Sequence, residues 1–233
     1  AAQEPAPPTA APCDVTIVAF GDSTTAPRGE LKVYAGLLEN GLREKGINAR
    51  VINAGVGGNT TAMARERFEK DVLAREPQLV LISFGINDSA VDVWKDATTP
   101  RVSLEQYERN LRYFVEELRE AGAKVVFFTP NPLAWTPKLK EMYGKPPYDP
   151  GTDAGFNILL DQYAGAMRKV AKEEKIPLVD TRKAFAKRAS EIGIDALLLD
   201  GMHPNDEGQR LIADHLLKRI VPLLTGGDSA EEQ

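Results

Sequence analysis

Apolar runs of strand length alternate along the chain with longer stretches of helical periodicity. Residues 15–20, 49–53, 79–84, 124–129 and 178–180 read as strands. Between them, residues 32–45 place Leu37, Leu38 and Leu42 on one helical face, and Gly46 stops the pattern. Residues 61–75 carry Met63, Phe68, Val72 and Leu73, with Pro77 marking the exit. Ser103 is a suitable N-cap for 104–120, with Gln106 as capping-box partner and Gly122 beyond the end. Helices over 155–174 and 207–221, and a shorter one after Thr181, complete the set. Such alternation predicts an α/β fold with a parallel sheet covered by helices on both faces. Leu79-Val80-Leu81-Ile82 and Val125-Val126-Phe127-Phe128 have the unbroken apolar character of strands buried on both sides. In such sheets ligands bind beyond the carboxyl ends of the strands.

Composition bounds the function. A chain of 233 residues is long enough for one large domain, expected over residues 14–224. The net charge of -5, with Lys and Arg mixed among acids, argues against nucleic acid as a partner. No apolar run approaches the roughly 20 residues of a transmembrane helix. Cys13 is the single cysteine, which excludes an intrachain disulfide or a cysteine metal cluster. The Pro/Ala-rich residues 1–13 are expected to be disordered, and 225–233 to form a flexible tail. The opening segment suits the mature start of a secreted or periplasmic protein; the alternative is a shortened chain, soluble in the cytoplasm.

Four groups of residues carry chemistry; three follow strands, and the fourth lies between the apolar run 196–199 and the final helix. Gly21-Asp22-Ser23 places a serine on the turn after the first strand, where it is either a nucleophile or a simple helix cap. Gly-x-Ser-x-Gly is absent, so the nucleophile elbow of α/β-hydrolases is not the template. Asp200-Gly201-Met202-His203 supplies a base and a carboxylate to orient it. The other histidine, His215, lies in an amphipathic stretch that reads as packing or surface. Asn53 to Thr60 is glycine-rich but lacks both the lysine of a P-loop and the full dinucleotide spacing. Its backbone N–H groups are better suited to a developing oxyanion. Asn87, in Gly85-Ile86-Asn87-Asp88, offers a neutral amide donor, or an Asx turn.

Together these motifs resemble the SGNH hydrolases, also called the GDSL esterases and lipases, from Gly21 to about Val221. The resemblance implies a flavodoxin-like three-layer α/β/α sandwich with a five-stranded parallel sheet. It implies Ser23 as nucleophile, His203 as base and Asp200 as its orienting partner. The oxyanion hole it implies is the Ser23 N–H, the Gly58 N–H and the Asn87 side chain, with Gly57 and Gly55 as alternatives to Gly58. Thr24 stands where the family name has leucine; Asp88 is read as a structural anchor. No metal or organic cofactor is implied.

Residues 89–102 and 131–156 leave the functional edge as long loops, and between them they hold both tryptophans. Trp94, Trp135 and Tyr143, with Asp22, are expected to contact substrate, although aromatics there would also serve to pack the loops. The combination resembles carbohydrate O-deacetylases, whose partner is a small-molecule or polysaccharide ester. Lysophospholipase, thioesterase or arylesterase activity is the alternative, and a non-catalytic carbohydrate-binding module is a third. Nothing in the sequence sets an oligomeric state.

Overall fold

The computed structural model describes residues 14–226. The expectations for residues 1–13, including Cys13, and for 227–233 lie outside the described residues. Five strands, β1 (Val15–Gly21), β2 (Ala49–Gly55), β3 (Leu79–Ser83), β4 (Lys124–Phe128) and β5 (Leu178–Val179), form one parallel sheet. Their order, β2-β1-β3-β4-β5, is the flavodoxin-like order. Among the described residues the α-helices are α1 (Tyr34–Glu44), α2 (Thr61–Asp71), α3 (Ile86–Ser89) and α4 (Leu104–Glu120). They continue as α5 (Pro137–Tyr143), α6 (Ile158–Glu173), α7 (Thr181–Ile192) and α8 (Asp206–Thr225).

Period-two alternation divides each central strand between two cores. Val18 and Phe20 of β1, with Val80, Ile82, Val125 and Phe127, meet Phe68 of α2, Phe114 of α4 and Met167 of α6. Ile17 and Ala19, with Leu79, Leu81, Val126 and Phe128, meet Tyr34 and Leu38 of α1, Phe185 of α7 and Leu216 of α8. A third cluster, including Ile86, Leu133, Tyr143, Tyr148 and Phe156, packs the long loops onto the carboxyl edge. The register aligns Gly21 with both Gly55 and Ser83, so β1, β2 and β3 end level. Strand order reverses around β1, which opens a crevice at that point.

Local chemistry shifted several predicted boundaries. The helix expected over 61–75 divides into α2 and a 3₁₀ turn at Leu73–Arg75. β5 stops at Val179 because Asp180 turns away to cap α7, accepting from Lys183 N–H at 3.3 Å. Gly155 belongs to a 3₁₀ turn, Asp153–Phe156, and α6 begins only at Ile158. There Asn157 is diverted to the loop backbone, donating to the Leu133 carbonyl at 2.8 Å and accepting from Leu133 N–H at 2.9 Å. Ser103 caps α4 by accepting from Gln106 N–H, but the Gln106 side chain donates to Asn110 instead of completing the capping box. α8 runs past Val221 through Pro222 to Thr225, so the expected tail begins one residue inside the helix.

Candidate active site

The turn after β1 is held from three sides. Its own backbone closes it, with Ala26 N–H donating to the Asp22 carbonyl at 2.9 Å. The Asp22 carboxylate accepts from Thr24 N–H at 2.9 Å. Thr24 Oγ1 donates to Asn131 Oδ1 at 3.2 Å, and the Thr24 carbonyl accepts from Gln209 Nε2 at 3.2 Å. Gln209 also accepts from Tyr34 N–H at 2.8 Å, which ties the start of α8 to the serine turn. Ser23 therefore projects from a rigid turn and caps no helix.

His203 arrives from 180 residues away. Asp200 builds the loop before α8 by accepting from both Met202 N–H (3.0 Å) and His203 N–H (2.9 Å) on Oδ1. Its second oxygen, Oδ2, lies 2.8 Å from His203 Nδ1, and His203 Nε2 lies 3.0 Å from Ser23 Oγ. A carboxylate can only accept, so Nδ1 carries the proton and Nε2 presents its lone pair to the serine hydroxyl. Burial would raise the Asp200 pKa, but the hydrogen bonds from His203 and Met202 outweigh it and hold the carboxyl below its usual range. Asn131 fastens this loop by donating to the Met202 carbonyl at 2.9 Å, and Ala134 N–H donates to the Gly201 carbonyl at 2.8 Å. Asn205 caps α8 through Gly208 N–H, at 3.1 Å.

The glycine-rich turn follows β2 directly beside the serine turn. A side chain at Gly55 would put Cβ 2.3 Å from Ala26 N, so only glycine lets the two turns meet. Gly55 N–H donates to Asn53 Oδ1, Val56 N–H to the Gly21 carbonyl and Asn59 N–H to the Val56 carbonyl. This removes Gly55 from the candidate oxyanion donors. Among the described residues the N–H groups of Ser23, Gly57 and Gly58 have no hydrogen-bond partner. Arg67 clamps the turn from behind, donating to Asn59 Oδ1 (2.7 Å), the Ala54 carbonyl (2.8 Å) and the Gly21 carbonyl (3.1 Å). Asn87 completes the arrangement from α3, with Nδ2 donating to the Asn59 carbonyl at 3.1 Å. Asp88, fully buried, anchors α3 to α2 by accepting from Thr61 N–H at 2.8 Å and Thr61 Oγ1 at 2.5 Å. Four candidate donors, the N–H groups of Ser23, Gly57 and Gly58 and the Asn87 amide, thus lie on the segments that follow β1, β2 and β3, and the Ser23 hydroxyl meets the His203 base there.

The four residues expected to touch substrate separate. Trp94 is 46% exposed, with Lys95 Nζ 4.2 Å from its ring centroid. Trp135 stacks on Phe156 at 4.2 Å and donates to the Thr152 carbonyl. Tyr143 packs edge-on to Tyr148 inside the loop cluster, and Asp22 lies under the serine turn; both are buried. Burial makes these two supports of the site instead of open contact surfaces. His215 sits partly buried on α8, its pKa lowered by burial. Sequence reading missed Arg67, Asn131 and Gln209, which act across long stretches of chain and lie in no local motif. Among the described residues no group of three or more His, Cys, Asp or Glu side chains is placed to hold a metal ion, and no helix is long and apolar enough to cross a membrane.

Residues 19–211 match the GDSL-like lipase/acylhydrolase family. The chain belongs to that family. Its general chemistry is ester hydrolysis. The chain is 32% identical over 213 residues to the lipoprotein YqeF of Bacillus subtilis, covering 84% of this chain and 85% of that one. It is 30% identical to an acetylxylan esterase of Geobacillus stearothermophilus, covering 82% and 80%. An Escherichia coli protein named thioesterase 1/protease 1/lysophospholipase L1 is 25% identical, covering 90% and 85%. The crystal structure of an acetylxylan esterase from Geobacillus stearothermophilus superposes with a TM-score of 0.71 at 26% identity, covering 89% of this chain and 94% of that one.

Proposed function

We propose that the protein is a serine esterase that removes short acyl groups, foremost acetyl, from carbohydrate through an acyl-enzyme. The observation that carries this reading is the continuous set Ser23 Oγ, His203 Nε2 and Asp200 Oδ2, with contacts of 3.0 and 2.8 Å. Ser23 attacks the ester carbonyl while His203 Nε2 takes its proton, and Asp200 stabilises the imidazolium that forms. The oxyanion is held by the Ser23 and Gly58 N–H groups and by the second N–H of Asn87 Nδ2. The leaving alcohol takes the proton from His203, and water then repeats the cycle on the acyl-serine. No cofactor enters these steps.

Two observations support a short acyl group on a sugar. The exposed ring of Trp94 offers a stacking face, and two of the relatives at hand are acetylxylan esterases. Exposed Val56, Met63 and Leu199 favour a second reading, hydrolysis of longer acyl esters, because apolar side chains there would cover an alkyl chain. The likeness to a lipoprotein supports a placement outside the cytoplasm, where a polysaccharide ester would be met.

The test is acetate release from acetylated xylan and pectin, beside hydrolysis of p-nitrophenyl acetate and octanoate, with wild type and Ser23→Ala. Serine-dependent acetate release from a polysaccharide is the expected result. Turnover confined to octanoate would replace the carbohydrate reading with the second one. Absence of serine-dependent turnover, with no labelling by a fluorophosphonate, would leave a non-catalytic binding module.

A further inference from the structure

Asn87 is held at both ends of its amide, and one of the two holds comes from a residue outside every motif. Arg101, at the far end of the loop between α3 and α4, donates from Nη1 to Asn87 Oδ1 at 3.1 Å. Its Nε and Nη2 form a fork on Asp92, at 3.1 and 2.7 Å. Arg101 N–H donates to the Ala90 carbonyl at 3.0 Å, so the backbone is fixed as well. The guanidinium is half-buried and the Asp92 carboxyl largely so, at 32% and 15% side-chain exposure. The ion pair raises the Arg101 pKa and lowers that of Asp92, so both stay charged.

A primary amide is nearly symmetrical in shape, and hydrogen bonding decides which end is oxygen. Guanidinium has only donors, so the amide end that meets Arg101 must be the oxygen. The nitrogen end then faces the Asn59 carbonyl with one hydrogen and keeps the other for the crevice. Rotation by half a turn would aim a carbonyl oxygen at a developing oxyanion. It would also leave Arg101 Nη1 facing an N–H group. We propose that Arg101 is a positioning residue that locks the Asn87 amide with its N–H toward the oxyanion, and that Asp92 locks Arg101. This rests on the reading of Asn87 as an oxyanion donor. The positive charge on the carbonyl side also polarises the amide and strengthens its N–H as a donor.

The experiment is steady-state kinetics of the full chain on p-nitrophenyl acetate, with thermal melts as a fold check. The variants are Arg101→Gln, Arg101→Lys, Asp92→Asn, Asn87→Ala and the double Asn87→Ala/Arg101→Gln. Arg101→Gln is expected to lower kcat about 10- to 100-fold, part of the loss of a whole donor, with KM within about threefold. Arg101→Lys recovers only part, since an ammonium serves Asp92 or Asn87 but lacks the fork for both. In the Asn87→Ala background, Arg101→Gln should cost no more than about a further twofold. If the two losses instead multiply in the double variant, Arg101 acts elsewhere and the proposal fails. An Arg101→Gln kcat equal to wild type overturns it as well. If Asn87→Ala itself retains full turnover, the oxyanion reading fails first, which is a separate result. Should Arg101→Gln not fold, Asp92→Asn takes its place in the same cycle, with an expected loss of about 3- to 10-fold that vanishes without Asn87.

Discussion

Replacing Asp22 by Asn removes a buried titration from beneath the serine turn. Asp22 is 2% exposed, and burial, together with the negative charge of Asp88, pushes its pKa from 3.8 to about 7 against the opposing hydrogen bonds of Thr24. Between pH 3.8 and about 7 the folded protein holds this proton and the unfolded chain does not. Stability therefore falls as pH rises through that window, the reverse of an ion-paired carboxylate, and is level above it. A shift of about 3 pH units corresponds to about 4 kcal/mol at about 1.4 kcal/mol each. Asn keeps an oxygen for Thr24 N–H and never ionises. The unfolding free energy of Asp22→Asn minus that of wild type should accordingly rise by about 2–4 kcal/mol between about pH 4 and about pH 8. Urea denaturation of both proteins across that range measures it, and subtracting one curve from the other cancels the titrating groups that do not interact with Asp22; the coupled Asp88, raised to about 6, contributes to the same difference. A difference that stays flat within about 0.5 kcal/mol would refute the reasoning.

Three further outcomes follow from the geometry. Ser23→Ala should retain the wild-type melting temperature and lose at least about 10⁴-fold in kcat, since it removes the attacking atom. Gly201→Ala places a side chain on a residue at φ +85°, with Cβ 2.4 Å from the Ala134 carbonyl oxygen. It should displace the Asp200–His203 loop, costing about 1–3 kcal/mol and more than about tenfold in kcat. Phe114 is fully buried and meets Phe20 edge-on at 5.5 Å and Phe68 at 4.9 Å. Phe114→Ala should cost about 3–5 kcal/mol in denaturant unfolding while the folded fraction keeps its KM.

What the sequence alone determined is whatever depends on neighbouring residues. Alternation of short apolar runs and amphipathic stretches specified five parallel strands and their covering helices, because a strand buried on both faces needs continuous apolar side chains. The Asp200–His203 unit was legible for the same reason: three residues of spacing suffice for Asp200 to bond His203 through both backbone and ring. Ser23, Gly58 and Asn87 were legible as turn residues after strands, and the open-sheet rule put them on one edge.

Tertiary structure alone decided how those turns meet and what holds them. The level ends of β1, β2 and β3 come from strand register, which no local pattern states. Asn131, Gln209, Arg67 and Arg101 look in sequence like ordinary surface polars, and their roles exist only once distant segments are adjacent. Tyr143 resembled part of a sugar platform by composition, yet it is buried against Tyr148 and Phe156, while Trp135 stacks one face on Phe156 and stays partly exposed. Burial is a property of the whole fold: an aromatic or a carboxylate carries the same letter in the chain whether it faces a ligand, as Trp94 is free to do, or supports the turn beneath it, as Asp22 does.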